Sequence, residues 1–197
     1  MLGVRYFLCQ LAKAMSEKTE IAVLGGGCFW CLEAVFSTLK GVRSVRSGYC
    51  GGQKGMPTYE SVCGGATGYA EVVEIQFDPA IISFSTVLEC FFAIHDPTSL
   101  NRQGHDVGTQ YRSVIFCQEQ SQSEVAAAMI ALVNERDGYN GKVVTQVVTE
   151  QTPFYPAEKY HQGYYEANPQ QGYCSIVIAP KLAQFRARYP ELLRQEI

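Results

Sequence analysis

Residues 21–36 read IAVLGGGCFWCLEAVF, and the hydrophobic period changes inside this stretch. IAVL is a short β-branched run that ends in glycine, after which Leu32, Val35, Phe36 and Leu39 recur at i, i+3, i+4 and i+7 until Gly41. The pattern predicts a strand, a tight turn and a helix in direct succession. At the turn, Cys28 stands directly after the glycines, followed by two large aromatics and, at C-x-x-C spacing, by Cys31. A cysteine where a Gly-rich turn opens a helix meets the unpaired N–H groups of the first turn, which favour its thiolate. Cys28 is therefore read as a nucleophile, and the glycines permit both the sharp turn and close approach to its sulfur. GGGCFW has neither the spacing of a dinucleotide loop nor the lysine of a P-loop, which argues against phosphate binding. Phe29 and Trp30 have an ordinary reading as core residues. Trp30 is nevertheless the single tryptophan of the chain and adjoins the nucleophile, where an aromatic face can hold a thioether.

Outward from this unit, VRSVRSGYCGG predicts a returning strand, and residues 53–68, rich in Gly, Pro and Thr without period, predict a long functional loop. In EVVEIQFDP, Val73, Ile75 and Phe77 alternate with Glu74 and Gln76, the mark of a half-buried strand. Leu88, Phe91, Phe92 and His95 then share a helical face closed by Pro97, and YRSVIFC reads as a further strand. SQSEVAAAMIALVNERDGYNG predicts a Ser-capped, Ala-rich helix ending at glycine, and KVVTQVVTE a last strand. This order predicts an α+β fold: a two-layer α/β sandwich with a ferredoxin-like core, a mixed sheet and helices on one sheet face. The aromatic-rich FYPAEKYHQGYYEANPQQGYC is expected to form a long segment wrapping over that core before a helix from Pro180.

With 197 residues, 47% hydrophobic and 18% charged, the chain can bury one core, and residues 19–197 are expected to form a single catalytic domain. A net charge of −3 provides no basic field, which argues against nucleic acid or an anionic membrane as partner. No apolar run approaches the ~18 residues of a membrane span. Arg5 interrupts the apolar part of residues 1–18, and AKA is a weak cleavage cue. That segment is read as a disordered extension, with Met15 a usable alternative start, and the protein as cytoplasmic. The eight cysteines do not suit a disulfide framework in a chain this long and apolar, so a reducing compartment is expected. Cys90 and Cys117 lie in apolar patterns and read as core; Cys28, Cys31, Cys50, Cys63 and Cys174 hold chemical interest.

Together GGGCFWCLEAVF, PTYESV, GYAEVVEIQFDP, HDPTSLNRQGHDVGTQYRS, FYPAEKYHQGYY and YCSIVIAPK resemble the peptide methionine sulfoxide reductase A family, in order from about Ile21 to Lys181. The resemblance implies reduction of the S epimer of methionine sulfoxide, free or in proteins, without a cofactor or metal. It places the reactive cysteine on Cys28 and the acid that protonates the departing oxygen on Glu71; a buried carboxyl with a raised pKa suits that task. Without the resemblance Glu71 would read as a surface strand residue. It also places on Tyr59 and Tyr111 the phenols that hydrogen-bond the oxygen, on Asp106 a support for the polar side of the pocket, and on Phe29 and Trp30 the wall for the substrate's terminal methyl.

Attack leaves a sulfenic acid on Cys28, which needs a resolving thiol. The Gly-rich, cysteine-bearing tail common in the family is absent, the chain ending ARYPELLRQEI. Cys31, within disulfide reach on the first turn, is preferred, with Cys174 as the other candidate and an external thiol still open. Thioredoxin or glutaredoxin is the expected reductant, and the enzyme is read as a monomer. Tyr69 stands where the family has His and His105 where it often has Asn, changes expected to tune the site. Cys50 replaces a common Ala and reads as packing, and His161 as a structural hydrogen-bonder. Two rivals are a thioredoxin-like disulfide oxidoreductase using Cys28 and Cys31, and a structural zinc module, for which the chain has a single C-x-x-C pair and three scattered histidines.

Overall fold

The computed structural model describes residues 18–195 except Lys54, Asp137, Gly138 and Asn140; the expected N-terminal extension lies, apart from Lys18, outside the described residues. Strand β1 (Glu20–Gly25), helix α1 (Phe29–Phe36) and strand β2 (Val42–Cys50) form the opening unit. After the short helix α2 (Tyr59–Cys63) come strand β3 (Ala70–Phe77) and helix α3 (Phe84–Ile94). A two-residue hairpin pair, β4 (Arg102–Gln103) and β5 (Asp106–Val107), and a 3₁₀ turn (Thr109–Tyr111) lead into β6 (Val114–Phe116). Helix α4 (Gln120–Asn134), β7 (Gln146–Val148), β8 (Tyr155–Pro156), α5 (Tyr164–Ala167) and α6 (Ala179–Arg188) complete the order.

The six-stranded sheet runs β7-β6-β1-β3-β2-β8. Its central four strands have the antiparallel order of a ferredoxin-like core, with α1 and α3 as the crossovers. β8 extends one edge antiparallel and β7 the other edge parallel, which makes the sheet mixed. α1 and α3 bury Leu32, Val35 and Phe36 and Leu88, Phe91 and Phe92 against the sheet face that carries Leu24, Val73 and Ile75. Burying each of these large side chains stabilises the fold by about 1.5–3 kcal/mol.

Five local expectations change. Residues 53–68 are not loop throughout: Thr58 caps α2, its hydroxyl accepting from the Ser61 N–H while the Ser61 hydroxyl accepts from the Thr58 N–H. β3 is buried along nearly its whole length rather than half-buried, because its other face also belongs to an apolar cluster, with Val23, Val72, Val114 and Phe116, against which Phe154 packs. The Ala-rich helix has Glu119 at its N-cap without a side-chain cap bond, rather than a serine. Gln122 does the tying: it accepts from the Gln118 N–H and donates to the Ile21 carbonyl, fixing the helix start to β1. That helix ends at Asn134, ahead of any glycine, and the last expected strand contracts to Gln146–Val148.

Candidate active site

The turn between β1 and α1 sets the site. Gly27 has φ +96°, and a Cβ there would stand 2.8 Å from Gln103, whose side chain braces the loop through the Asp96 N–H and carbonyl. A larger residue would be strained twice, by its dihedral and by this contact. Cys28 follows as the N-cap in extended conformation, and its carbonyl accepts from the Cys31 N–H at 3.1 Å. Its side chain is 8% exposed and belongs to the main core cluster.

Glu71, 1% exposed near the start of β3 and opposite Tyr49 on β2, is no surface residue. Its Oε2 accepts the Phe29 N–H at 3.1 Å, so the carboxyl is fixed to the residue after Cys28. Burial pushes its pKa up to about 8; the Phe29 N–H opposes the shift, and the charges of Asp106 and Cys31 add to it. At neutral pH this group holds its proton.

Tyr59, the first residue of α2, and Tyr111, the last of the 3₁₀ turn, are each half-buried. Burial raises both phenols, and each also feels the charges of Glu71 and Cys28. The Glu158 carboxylate anchors the Tyr59 backbone N–H at 2.8 Å and takes the Tyr49 hydroxyl at 2.9 Å. Cys63, one turn along α2, is exposed and adds to the upward shift of the Tyr59 phenol.

The two thiols of the first turn differ. Burial drives Cys28 well above the usual thiol range, against one favourable backbone N–H from Trp30. Cys31 is lowered to about 7, first by the hydrogen bond from Cys28, then, against burial, by Lys181 and Tyr173. The first-turn amides that would favour a Cys28 thiolate thus work against its burial. Burial outweighs one amide, and the Phe29 N–H is already taken by Glu71.

Among the aromatics, Phe29 departs from expectation. It is 0% exposed, packed 5.8 Å from Tyr49 and 5.1 Å from His161 between ring centres, so it presents no free face as a pocket wall. Trp30 is partly exposed and held on two sides. Its Nε1 donates to His161 Nδ1 at 3.1 Å, and its ring stacks on Tyr164 at 3.8 Å and 6°. His161 is a structural hydrogen-bonder, as expected. Asp106 acts through a residue the sequence reading passed over: it accepts the Tyr173 hydroxyl at 2.6 Å, and that hydroxyl lies 4.0 Å from Cys31 Sγ. One tyrosine among twelve leaves no sequence signal of its own. Cys174, 0% exposed, starts a π-helical turn (Cys174–Ile178) and feels the charge of Cys31, although it is not hydrogen-bonded to the pair. Cys50 is packed at 1% exposure, and Tyr69 turns its hydroxyl to the Gly55 carbonyl.

Two thiols at C-x-x-C spacing, a buried carboxyl hydrogen-bonded to the residue after the first of them and two half-buried phenols that feel its charge are groups suited to a thiol-based oxidoreductase. Residues 20–192 match the family model described as peptide methionine sulfoxide reductase, and the chain belongs to that family. The peptide methionine sulfoxide reductase MsrA of Chromobacterium violaceum is 56% identical over 176 residues, covering 89% of this chain and 99% of that protein. The reduced form of Mxr1 from Saccharomyces cerevisiae superposes with TM-score 0.71 at 33% identity, over 80% of this chain and 90% of that one. Methionine sulfoxide reductase A of Corynebacterium diphtheriae gives 0.73 at 33% identity, over 78% and 76%. The α+β fold agrees with these structures, and the protein is an enzyme that reduces methionine sulfoxide. The thioredoxin-like rival is set aside.

Proposed function

We propose that residues 19–197 act as one catalytic domain in which Cys28 attacks the S epimer of methionine sulfoxide, free or in proteins. The observation that carries this is the Glu71 carboxyl, buried and bonded to the residue beside Cys28, a burial that raises its pKa to about 8. Cys28 Sγ bonds to the sulfoxide sulfur as Glu71 passes its proton to the oxygen, which Tyr59 and Tyr111 hold by hydrogen bonds. The sulfur–oxygen bond breaks, the oxygen passes to Cys28 as Sγ–OH, and methionine leaves reduced by two electrons. The Cys28 proton returns to Glu71, so the step is proton-neutral and needs no preformed thiolate. Trp30 forms the wall for the terminal methyl, with Phe29 as the packing beneath it, and Asp106 supports the polar side through Tyr173.

Cys31 resolves the sulfenic acid, forming a disulfide with Cys28 and releasing water. Its place one turn from Cys28, whose carbonyl accepts the Cys31 N–H at 3.1 Å, and a thiol pKa shifted down where that of Cys174 is shifted up favour it over Cys174. Thioredoxin or glutaredoxin, dithiol proteins suited to a C-x-x-C disulfide, returns the pair to thiols in a cytoplasmic, monomeric enzyme. One single-turnover experiment without reductant, read by mass spectrometry after alkylation, tests both thiols. Cys28→Ser is expected to give no methionine. Cys31→Ser is expected to give one equivalent per enzyme and to keep Cys28 as sulfenic acid. Product from Cys28→Ser refutes the nucleophile, and a Cys28–Cys174 disulfide in Cys31→Ser moves the resolving role.

A further inference from the structure

The reaction described above leaves a second buried carboxyl unused. Glu33 lies on α1, one turn beyond Trp30, with 5% exposure. Its Oε2 accepts the Gly163 N–H at 3.0 Å across 130 residues of sequence, and the Tyr164 N–H also favours its charged form. Gly163 is in the left-handed region at φ +62°, and α5 starts from it without any side-chain cap of its own. The carboxylate therefore supplies from α1 the acceptor that this turn lacks. Behind it lies a cavity of about 260 Å³, lined among others by Glu33, Ala34, Gly163, Tyr165, Glu166 and Arg186. Packing on that side is incomplete, so hydrogen bonds add to the hold that Tyr164 and Tyr165 have on the core. Gln162 supplies a second set, bonding both the N–H and the carbonyl of Ser47 on β2. What the turn delivers is Tyr164, whose ring covers one face of Trp30.

We propose that Glu33 is a positioning residue for the methyl-binding wall: by holding the backbone at Gly163 and Tyr164, it sets the stack that fixes the Trp30 ring. This rests on the reading of Trp30 as that wall. The wall contacts the substrate's methyl throughout the reaction and takes no part in bond making, so loosening it weakens ground state and transition state alike. That signature is a raised KM with little change in kcat.

Trp30 is the single tryptophan, so its fluorescence reports the stack independently of turnover. Glu33→Ala is expected to move Trp30 emission to longer wavelength and to raise KM for a blocked methionine S-sulfoxide about 5- to 10-fold, with kcat within about two-fold. Glu33→Gln, which keeps an acceptor of the same length, is expected to recover most of both. If Glu33→Ala does not fold, Glu33→Asp, one methylene short of the turn, is expected to show the same pair of changes in smaller measure. Wild-type emission and KM in a folded Ala or Asp variant, even one that melts earlier, overturn the proposal at Glu33. Shifted emission with wild-type KM overturns it at the Trp30 wall instead.

Discussion

Strand β3 carries Glu71 and Glu74, both buried, at 1% and 8% exposure, and the two face opposite sides of the sheet. Glu74 meets Arg46 on the neighbouring strand, which it accepts at 3.0 Å from Nε and 2.5 Å from Nη2. Among the described residues no cation pairs with Glu71; one backbone N–H answers it, and Asp106 and Cys31 add charge of its own sign. A buried carboxylate with a guanidinium partner holds strands together. A buried carboxyl with one weak donor keeps its proton, and a proton held in a dry site can be delivered. The difference between structure and chemistry on this strand is one missing arginine.

Removing the deliverable proton gives the largest expected effect on this comparison. Glu71→Gln preserves the shape and the Phe29 contact but has no acidic hydrogen, so single-turnover methionine formation is expected to slow about 10²–10⁴-fold. The same variant is expected to be no less stable at neutral pH. The wild-type carboxyl is held protonated up to about 8 from an ordinary value of 4.5. The unfolded chain releases that proton first, so the penalty is absent below about pH 4.5, grows as pH rises to about 8 and is constant above. Glu71→Gln is therefore expected to gain stability relative to wild type between pH 5 and 8, by a few kcal/mol at most. A Gln variant with wild-type rate removes Glu71 as acid.

Next in size is the pH dependence itself. Ionisation of Glu71 removes the donor, so the single-turnover rate is expected to fall about tenfold per unit above pH 8 and to lose this fall in Glu71→Gln. A wild-type rate that keeps rising through pH 9 instead makes ionisation of Cys28 the governing event, which its burial-raised pKa places on the opposite limb.

The comparison was half legible in sequence. The strand–turn–helix at Cys28 and the face of α3 follow from local period, and the structure has both where the pattern puts them. Glu71 and Glu74 look alike in GYAEVVEIQ; only the family resemblance separated them, because the difference is made by what lies opposite. Burial of both faces of β3 was not legible either, since the covering Phe154 belongs to a segment far along the chain. The same holds for Tyr173 on Asp106, His161 on Trp30 and Gly163 on Glu33, pairs separated by 67, 131 and 130 residues. Such contacts leave no periodic trace. Phe29 was misplaced for a related reason: adjacent residues on a helix do not share a face, so one aromatic of the pair went to the core and the other to the rim.

The smallest expected effect falls on the other carboxyl. Glu74→Gln keeps one acceptor for Arg46 and discards the charge, and the Arg46 side chain is 48% exposed, so water takes over much of its solvation. The loss of stability is therefore expected to stay at or below about 1 kcal/mol, as for surface ion pairs. In thermal unfolding this is a fall of about 2–4 °C. The methionine-forming rate is expected to remain within two-fold, because Glu74 lies on the other face of the sheet and is not among the groups that chiefly shift Glu71. A rate loss in Glu74→Gln comparable to that in Glu71→Gln breaks the comparison, since it makes the register of β3, and not the proton on Glu71, the quantity that catalysis depends on.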